Sequence, residues 1–161
     1  MSTYTEVMDN SLPLCVTHEV RNRCLCLHVQ QAARALARRF DEALKPVGLT
    51  HGQYSLLISL NRSPPTIGET AQLLAMDRTT LTANLKPLER RGLLTQLPDQ
   101  ADKRARRLHL TDAGRTLLNQ AVPLWRTAHD EVDLKISGDM AALKDDLTAL
   151  SLVDIDADIK G

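Results

Sequence analysis

Three cysteines near the start of the chain carry its most reactive side chains. They are Cys15, Cys24 and Cys26, and the pattern Cys24-x-Cys26-x-His28 places an imidazole two residues further on. A thiolate is both a nucleophile and a metal ligand. The spacing therefore leaves three hypotheses open: oxidation-sensitive thiols, a metal site, or small buried residues that only fill a core.

The metal hypothesis meets a geometric objection. Alternate positions on a helix are rotated by about 200°, so on a helix Cys26 points away from Cys24 and His28. Cys24 and His28 are four residues apart, but they need further ligands from elsewhere in the chain. The remaining histidines, at positions 18, 51, 109 and 129, form no cluster. We therefore predict no bound metal and no cofactor.

A second group of polar side chains lies in the stretch MDRTTLTANLKPLERRGLL, residues 76–94. Asp77 is typical of a helix N-cap, and Leu81, Leu85 and Leu88 follow at helical spacing on one face. The opposite face carries short hydroxyls, a methyl group and cations, which hydrogen-bond phosphates and base edges and touch thymine methyls. The candidate DNA-binding residues of this helix are Arg78, Thr79, Thr80, Thr82, Ala83, Asn84 and Lys86.

Charge supports a polyanionic partner for the middle of the chain. The formal net charge is zero, yet residues 78–107 hold eight basic and three acidic residues, whereas residues 128–161 hold nine acidic and three basic ones. The segment from Asp99 to Arg106 is a polar tip, and its Lys103, Arg104 and Arg106 complete the set of candidate DNA contacts. Asp102 is expected to orient one of these arginines.

The elements that must position these residues are mainly helical. Thr66 and Glu69 have the T-x-x-E spacing of a capping box, and Thr50 and Thr111 are further N-cap candidates. Alternating apolar residues predict a two-stranded hairpin from residues 93–97 and 106–110. The predicted helices are 18–44, a short helix after Thr50, a short helix after Thr66, the helix after Asp77, a helix from Thr111 to about Ile136 with a kink at Pro123, and a last helix at 139–152. Residues 1–14 are expected to form an arm, and Pro87 is expected to bend only the final turns of its helix.

Two short capped helices followed by a hairpin with a basic tip are the order of a winged helix-turn-helix. The segments LTHGQYSLLISL, TIGETAQLLAMDRTTLTANLKPLERRGLL and PDQADKRARRLHLTDAG resemble the MarR (multiple antibiotic resistance regulator) family of bacterial transcription factors. The resemblance covers about residues 24–150, and D-x-x-D-K-R-A followed by L-T-x-x-G is its most specific part.

The resemblance implies a mainly α fold with a small β-hairpin wing. The winged helix-turn-helix would occupy about residues 50–111, and dimerisation helices about 18–46 and 112–155. It further implies a homodimer that binds a pseudo-palindromic double-stranded operator. Most such proteins repress nearby genes until a small ligand or an oxidant releases them.

Two kinds of trigger follow from the resemblance. Relatives that sense organic hydroperoxides carry one reactive cysteine near the start of the first helix, and Cys26 falls at that position. Their thiolate-binding tyrosines are replaced by Gln30 and Phe40, and Cys15 or Cys24 would have to act as the second thiol. The other trigger is a small aromatic effector in a cleft near Gln53, Arg34 or Trp125. Core packing of the cysteines and a metal-responsive regulator remain alternatives.

Other classes of protein are disfavoured. The sequence contains no G-x-S-x-G, H-E-x-x-H, P-loop or dinucleotide-binding pattern, so we do not expect an enzyme. It also contains neither a secretory signal pattern nor an 18-residue apolar stretch. We therefore expect a cytoplasmic protein with no membrane partner.

Overall fold

The structure, a computed structural model, describes residues 12–61 and 63–152. The described residues are mainly helical, with one antiparallel pair of strands. In chain order the elements are α1 (Leu14–Arg23), α2 (Leu25–Leu44), a 3-10 turn (Lys45–Val47), α3 (His51–Ser59), α4 (Ile67–Leu73), α5 (Arg78–Arg90), β1 (Leu94–Pro98), β2 (Arg106–Leu110), α6 (Asp112–Asp133) and α7 (Met140–Ser151).

The four helix starts predicted from capping residues are confirmed. Thr50, Thr66, Asp77 and Thr111 each accept a hydrogen bond from the backbone amide three residues later. Thr66 and Glu69 form the predicted reciprocal capping box, in which the Glu69 carboxylate accepts the Thr66 amide at 2.6 Å. These side chains satisfy amides that a helix start leaves without partners.

The N-terminal part departs from the prediction of one helix over residues 18–44. The chain forms two helices because Cys24 adopts an extended conformation (φ −73°, ψ 98°) between them. Its sulfur accepts the Leu27 amide at 3.4 Å and so acts as a cap for α2. The predicted arm is also wrong at its end, since Pro13 is the N-cap of α1 and Leu14 is already helical; residues 1–11 lie outside the described residues.

From Ala37 onward the chain builds an aliphatic core. Leu81, Leu85 and Leu88 of α5 are fully buried, as their spacing predicts. They pack with leucines of α3, of both strands and of α6. The core members are Leu44, Leu49, Tyr54, Leu56, Leu57, Leu60, Ala71, Leu81, Leu85, Leu88, Leu93, Leu94, Leu108, Leu110, Leu118 and Ala121.

The hairpin and the start of α6 are joined by a close backbone approach. β1 pairs with β2 in the register Leu94 with Leu110 through Pro98 with Arg106. Thr111 donates its hydroxyl to the Gly92 carbonyl at 2.7 Å and caps α6 by accepting the Gly114 amide at 3.0 Å. A Cβ on Gly114 would overlap the Leu93 carbonyl oxygen. The L-T-x-x-G pattern is thus a capping threonine followed by a glycine that admits a neighbouring backbone.

The two helices that contain a proline continue past it. α5 runs through Pro87 to Arg90, and α6 runs through Pro123 to Asp133. A proline removes one backbone hydrogen bond, but the surrounding residues keep helical geometry when packing supports them. The bends predicted at the two prolines stay predictions.

The last helix lies outside the core. None of the residues of α7 is buried, although Leu143, Leu147 and Leu150 recur on it at helical spacing. Among the described residues, no helix has the length and apolarity needed to cross a membrane.

Candidate nucleic-acid interface

Helix α5 presents one buried face and one exposed face. Its three leucines are buried in the core, while the predicted contact residues lie on the outer side. All seven of them are exposed: Arg78, Thr79, Thr80, Thr82, Ala83, Asn84 and Lys86. Short side chains on this face let the helix backbone approach a partner closely.

The three threonines of α5 are chemically distinct. The Thr80 hydroxyl donates to the Asp77 carboxylate at 2.6 Å, and the Thr82 hydroxyl donates to the Arg78 carbonyl at 2.7 Å. Within the described part of the chain, the Thr79 hydroxyl makes no such bond. Thr79 is therefore free to donate and accept, whereas Thr80 and Thr82 offer lone pairs and methyl groups.

Asp77 holds this arrangement in its ionised form. The hydroxyl and the backbone amide of Thr80 both donate to its carboxylate, and these bonds lower the Asp77 pKa. An ionised cap also suits the positive end of the helix dipole. The start of α5 is thus held by a charge that persists at neutral pH.

A groove joins the start of α5 to the wing. It measures about 400 Å³, and its walls include Arg78, Thr82, Arg104 and Arg106. Gly68 of α4 also lines it, and a Cβ on Gly68 would lie 3.1 Å from the Arg78 guanidinium. The fold therefore brings together three of the predicted cationic residues around one concave surface.

The turn between α4 and α5 contains an unusual backbone conformation. Ala75 lies in this turn with a positive φ of 49°, the one non-glycine residue with positive φ in the described chain. Such a backbone costs about 1–2 kcal/mol for a residue with a Cβ. The Met76 amide bonds the Ala71 carbonyl at 2.9 Å and helps to hold the turn closed.

Some predicted contacts lie beside the groove rather than in it. Ala83, Asn84 and Lys86 are exposed further along α5, and Lys103 is exposed at the wing tip, but none of them lines the groove. They remain candidates for contact with a long partner such as a duplex, which extends beyond one groove of the protein.

The wing tip differs from the sequence prediction in the role of its aspartates. Within residues 12–61 and 63–152, Asp102 has no arginine side-chain partner; its carboxylate accepts the Arg104 backbone amide at 2.9 Å. The carboxylate that binds a guanidinium is Asp99, which pairs with Arg107 and is only 5% exposed. Neither Asp99 nor Arg107 was among the predicted contacts. The sequence pattern that could have indicated the role of Asp99 is the Asx-turn. In this turn an aspartate side chain accepts the backbone amide two residues later, here that of Ala101.

A further arginine anchors the end of α5. Arg91 donates to the Gly48 carbonyl at 2.9 Å, and Gly48 has a positive φ of 66°. This long-range contact has no local pattern, so periodicity alone does not find it.

The cysteines are free thiols in different surroundings. Cys15 and Cys26 are exposed, and Cys24 is half-buried at the start of α2. The Gln30 side-chain amide donates to the Cys26 sulfur at 3.2 Å. Cys15 is a residue of α1 rather than of an arm, and about nine residues of helix separate it from Cys24, roughly 13 Å at 1.5 Å per residue. That span exceeds disulfide reach within one chain.

A metal arrangement does not form around these thiols. In residues 12–61 and 63–152, no three His, Cys, Asp or Glu side chains come together as a metal site. His28 instead directs its Nδ1 at the Cys24 carbonyl oxygen, 2.8 Å away.

The residues suggested for an effector are partly occupied by other contacts. Gln53 belongs to the capping box of α3, and Arg34 donates to Gln30 at 3.2 Å. Trp125 is half-buried and stacks with Tyr54 and Phe40, with ring centroids 6.1 and 6.5 Å apart, and it contacts His129 at 4.9 Å. Burial raises the Tyr54 pKa, so its phenol stays protonated.

Comparison with known proteins bears out the resemblance. Residues 47–105 match the MarR family model. Two relatives from Bacillus subtilis are the HTH-type transcriptional regulator YybA, 32% identical over 73% of this chain and 77% of that protein, and the organic hydroperoxide resistance transcriptional regulator, 29% identical over 62% and 69%. The structure of the M. tuberculosis transcriptional regulator MosR in complex with DNA is similar, with 39% identity, a TM-score of 0.75 and coverage of 80% of this chain and 94% of MosR. The chain therefore belongs to the MarR family and is a DNA-binding transcription regulator, not an enzyme.

Proposed function

We propose that this regulator binds a pseudo-palindromic operator with α5 in the major groove and the wing in the adjacent minor groove. The observation that carries the proposal is the groove in which Arg78 and Thr82 of α5 meet Arg104 and Arg106 of the wing. A recognition helix contacts base edges through its N-terminal residues, and arginine is favoured in a narrow minor groove.

The side chains of α5 divide into two roles under this proposal. Thr79, Thr82 and Ala83 read base edges and thymine methyls, because they are short and exposed near the start of the helix. Arg78, Thr80, Asn84 and Lys86 contact the phosphate backbone and set the register. The DNA contacts of the wing are Lys103, Arg104 and Arg106.

The proposed assembly is a homodimer. Two-fold pairing would place two copies of α5 about one helical turn of DNA apart, roughly 34–36 Å, and so match a palindromic site. It would also cover the exposed leucines on the N- and C-terminal helices, such as Leu25 and Leu147.

A gel shift on the DNA upstream of the gene, repeated over a range of salt concentrations, tests this proposal. Arg104→Ala should weaken binding to every sequence. It should also reduce the slope of log affinity against log salt concentration by about one, because one phosphate contact is lost. Thr79→Val should change the preferred base at one position by about 1–3 kcal/mol. Lys45→Ala is a matched control, because Lys45 is exposed in the 3-10 turn and far along the chain from the groove residues.

Two outcomes would overturn the assignment. If Arg104→Ala binds with the affinity and salt dependence of the parent, Arg104 does not contact DNA. If Thr79→Val and Thr82→Val both keep the parent's sequence preference, α5 is not the recognition helix.

We propose that the protein is a repressor whose DNA affinity is lost on oxidation of Cys26. The support is the exposure of Cys26 together with the hydrogen bond that the Gln30 side-chain amide donates to the Cys26 sulfur at 3.2 Å. In this reaction the Cys26 thiolate attacks the terminal oxygen of an organic hydroperoxide and the O–O bond breaks. The terminal hydroxyl becomes part of the sulfenic acid, and the alkoxide leaves and takes a proton from water to become the alcohol. A second thiol, from Cys24 or from Cys15 of another chain, then displaces water and forms a disulfide.

The oxidation proposal is tested by adding an organic hydroperoxide and then a reductant to the gel shift. The parent should release DNA with peroxide and rebind it with reductant. Cys26→Ser should stay bound, while Cys24→Ser should still respond at the sulfenic acid step. Release of Cys26→Ser by peroxide would exclude Cys26 as the sensor.

The second candidate trigger is a small aromatic effector. The half-buried Trp125, stacked on Tyr54, provides an aromatic surface of suitable chemistry. A panel of phenols and aromatic carboxylates, monitored by Trp125 fluorescence and by gel shift under reducing conditions, tests it. If no compound changes either signal, this trigger is excluded.

A further inference from the structure

The two faces of the wing carry different arginines. Arg104 and Arg106 line the groove that also contains Arg78 and Thr82. Arg107 lies on the other face, in a depression formed with Ser63, Pro64 and the strand residues around Leu97. Arg107 therefore does not share a surface with the recognition helix, although it is adjacent to Arg106 in sequence.

Among the residues that the structure describes, the Arg107 guanidinium contacts two carboxylates and one backbone carbonyl. Its Nε donates to the Asp99 carboxylate, and its Nη1 donates to the Pro64 carbonyl at 2.7 Å and lies 4.0 Å from the Glu69 carboxylate. Its side chain is 39% exposed. A guanidinium has several donors in a rigid plane, so it can bind two acceptors at once and fix their relative positions.

Asp99 extends this link into the wing tip. The carboxylate oxygen that does not meet Arg107 accepts the backbone amides of Ala101 and Asp102 at 2.7 and 2.8 Å. The Asp102 carboxylate in turn accepts the Arg104 amide at 2.9 Å. A continuous chain of hydrogen bonds thus runs from the Pro64 carbonyl, in the loop before α4, to the backbone of Arg104.

Backbone contacts also hold β2 to the loop before α4, but these contacts do not extend to the wing tip. The Leu108 amide bonds the Pro65 carbonyl at 2.8 Å, and Thr66 bridges to Arg107. The wing tip, residues 100–105, connects the two strands. It is held by the Asp99 carboxylate and by the Asp102 carboxylate. Two backbone hydrogen bonds add to these contacts: the Asp99 amide donates to the Ala105 carbonyl at 3.0 Å, and the Ala105 amide donates to the Asp102 carbonyl at 2.9 Å.

We propose that Arg107 and Asp99 are positioning residues for DNA binding: their ion pair orients the wing tip against the loop before α4 and so directs Arg104 to the DNA. Neither residue contacts the DNA itself. The inference rests on the DNA contact by Arg104 proposed above.

A double-mutant cycle between Arg104→Ala and Arg107→Gln tests the proposal. In the parent, Arg104→Ala should weaken operator affinity about tenfold and reduce the salt slope by about one. Arg107→Gln alone should weaken affinity by a similar factor. In the Arg107→Gln background, Arg104→Ala should cost less than about twofold, because a misdirected Arg104 has little contact left to lose.

Asp99→Asn is the second variant, and it guards against a folding defect. An asparagine keeps an oxygen for the Ala101 and Asp102 amides but removes the charge that binds Arg107. In the Asp99→Asn background, Arg104→Ala should again weaken operator affinity by less than about twofold. Circular dichroism should show the same helix content as in the parent. Arg115→Gln is the matched control: this exposed arginine bonds the Asn61 side chain at 3.2 Å, and its loss should leave the tenfold cost unchanged.

The outcomes separate the two proposals. If Arg104→Ala has no effect in the parent, the proposed DNA contact fails. If Arg104→Ala weakens binding tenfold in every background, the positioning role of Arg107 and Asp99 is overturned. If Arg107→Gln lowers the salt slope by one and its loss of affinity adds to that of Arg104→Ala, Arg107 is a direct phosphate contact instead.

Discussion

At the scale of single residues, the Asp99 carboxylate determines the geometry of the wing tip. The backbone amides of Asp102 and Ala101 donate to it, the Arg107 guanidinium pairs with it, and together they lower the Asp99 pKa. Glu69 is the other carboxylate near Arg107, and the Thr66 amide and hydroxyl lower its pKa as well. Both acids are therefore ionised at neutral pH.

The pH dependence of stability follows from the direction of the Asp99 shift. A carboxyl whose pKa is lower in the folded state stabilises the protein above its unfolded pKa of about 3.9, and this contribution is lost as the pH falls through the folded value. The melting temperature of Asp99→Asn should therefore lie below the parent's at pH 6, and the difference should shrink below about pH 4. Asp146→Asn, on exposed α7, is the control and should show no such difference. A gap that stays constant down to pH 3 would contradict a role for the charge.

Among the glycines that the structure describes, Gly114 has the least room for a side chain. A Cβ there would overlap the Leu93 carbonyl oxygen and lie 2.7 Å from Leu110 Cδ1. Gly114→Ala should destabilise the fold by about 1–3 kcal/mol, because backbone on both sides must shift. Thermal unfolding should show a fall of roughly 2–4 °C for each kcal/mol.

A helical glycine with free space provides the comparison for Gly114. Gly52 of α3 has no atom within 4 Å of a Cβ position. Gly52→Ala should therefore stabilise the protein by about 0.4–1 kcal/mol through the unfolded chain. Equal effects of the two substitutions would show that helix propensity, and not the contact with Leu93, decides the result.

At the scale of elements, the helix starts were predictable because a cap is a local pattern. The Thr66 capping box begins α4 and helps to fix the loop that binds Arg107. Thr66→Ala removes the acceptor of the Glu69 amide and should cost about 1 kcal/mol, a fall of roughly 2–4 °C in melting temperature. Thr66→Ser keeps the hydroxyl and should melt near the parent; an equal loss in both variants would assign the effect to the methyl group.

The break between α1 and α2 was not predictable in the same way. The periodicity of residues 18–44 is continuous, and no glycine or proline lies near Cys24. The backbone of Cys24 is extended, and the Cys24 sulfur takes the place of a backbone carbonyl as the acceptor of the Leu27 amide. A cysteine is not a usual N-cap, so residue preferences give no signal for it.

At the scale of the whole molecule, apolar surface outside the core points to self-association. Leu143, Leu147 and Leu150 of α7 are 38%, 42% and 47% exposed. Light scattering should therefore find a particle of about twice the 17.8 kDa chain mass. Leu147→Glu should shift it towards the monomer and weaken operator binding, because two half-sites are no longer bound together.

The control for this prediction keeps the apolar surface. Leu147→Met preserves volume and polarity at the same position, so it should remain dimeric. A parent protein that stays monomeric at micromolar concentration would contradict the proposed assembly.

The sequence by itself determined the features that depend on neighbours along the chain. The caps at Thr50, Thr66, Asp77 and Thr111, the buried leucines of α5, the hairpin and the family all follow from short spacings. The sequence also placed the basic residues that line the groove in one segment, although it did not show that Arg104 and Arg106 meet Arg78.

Only the tertiary structure decided which charged side chains face outward and which hold the fold together. Arg106 and Arg107 are adjacent and chemically identical, yet one lines the groove and the other binds Asp99 and the Pro64 carbonyl. The partners of Arg107 include residues far away in sequence, so no local spacing records the contact. Side-chain direction alternates along a strand, and the packing of β2 against the loop before α4 selects the face on which each arginine lies.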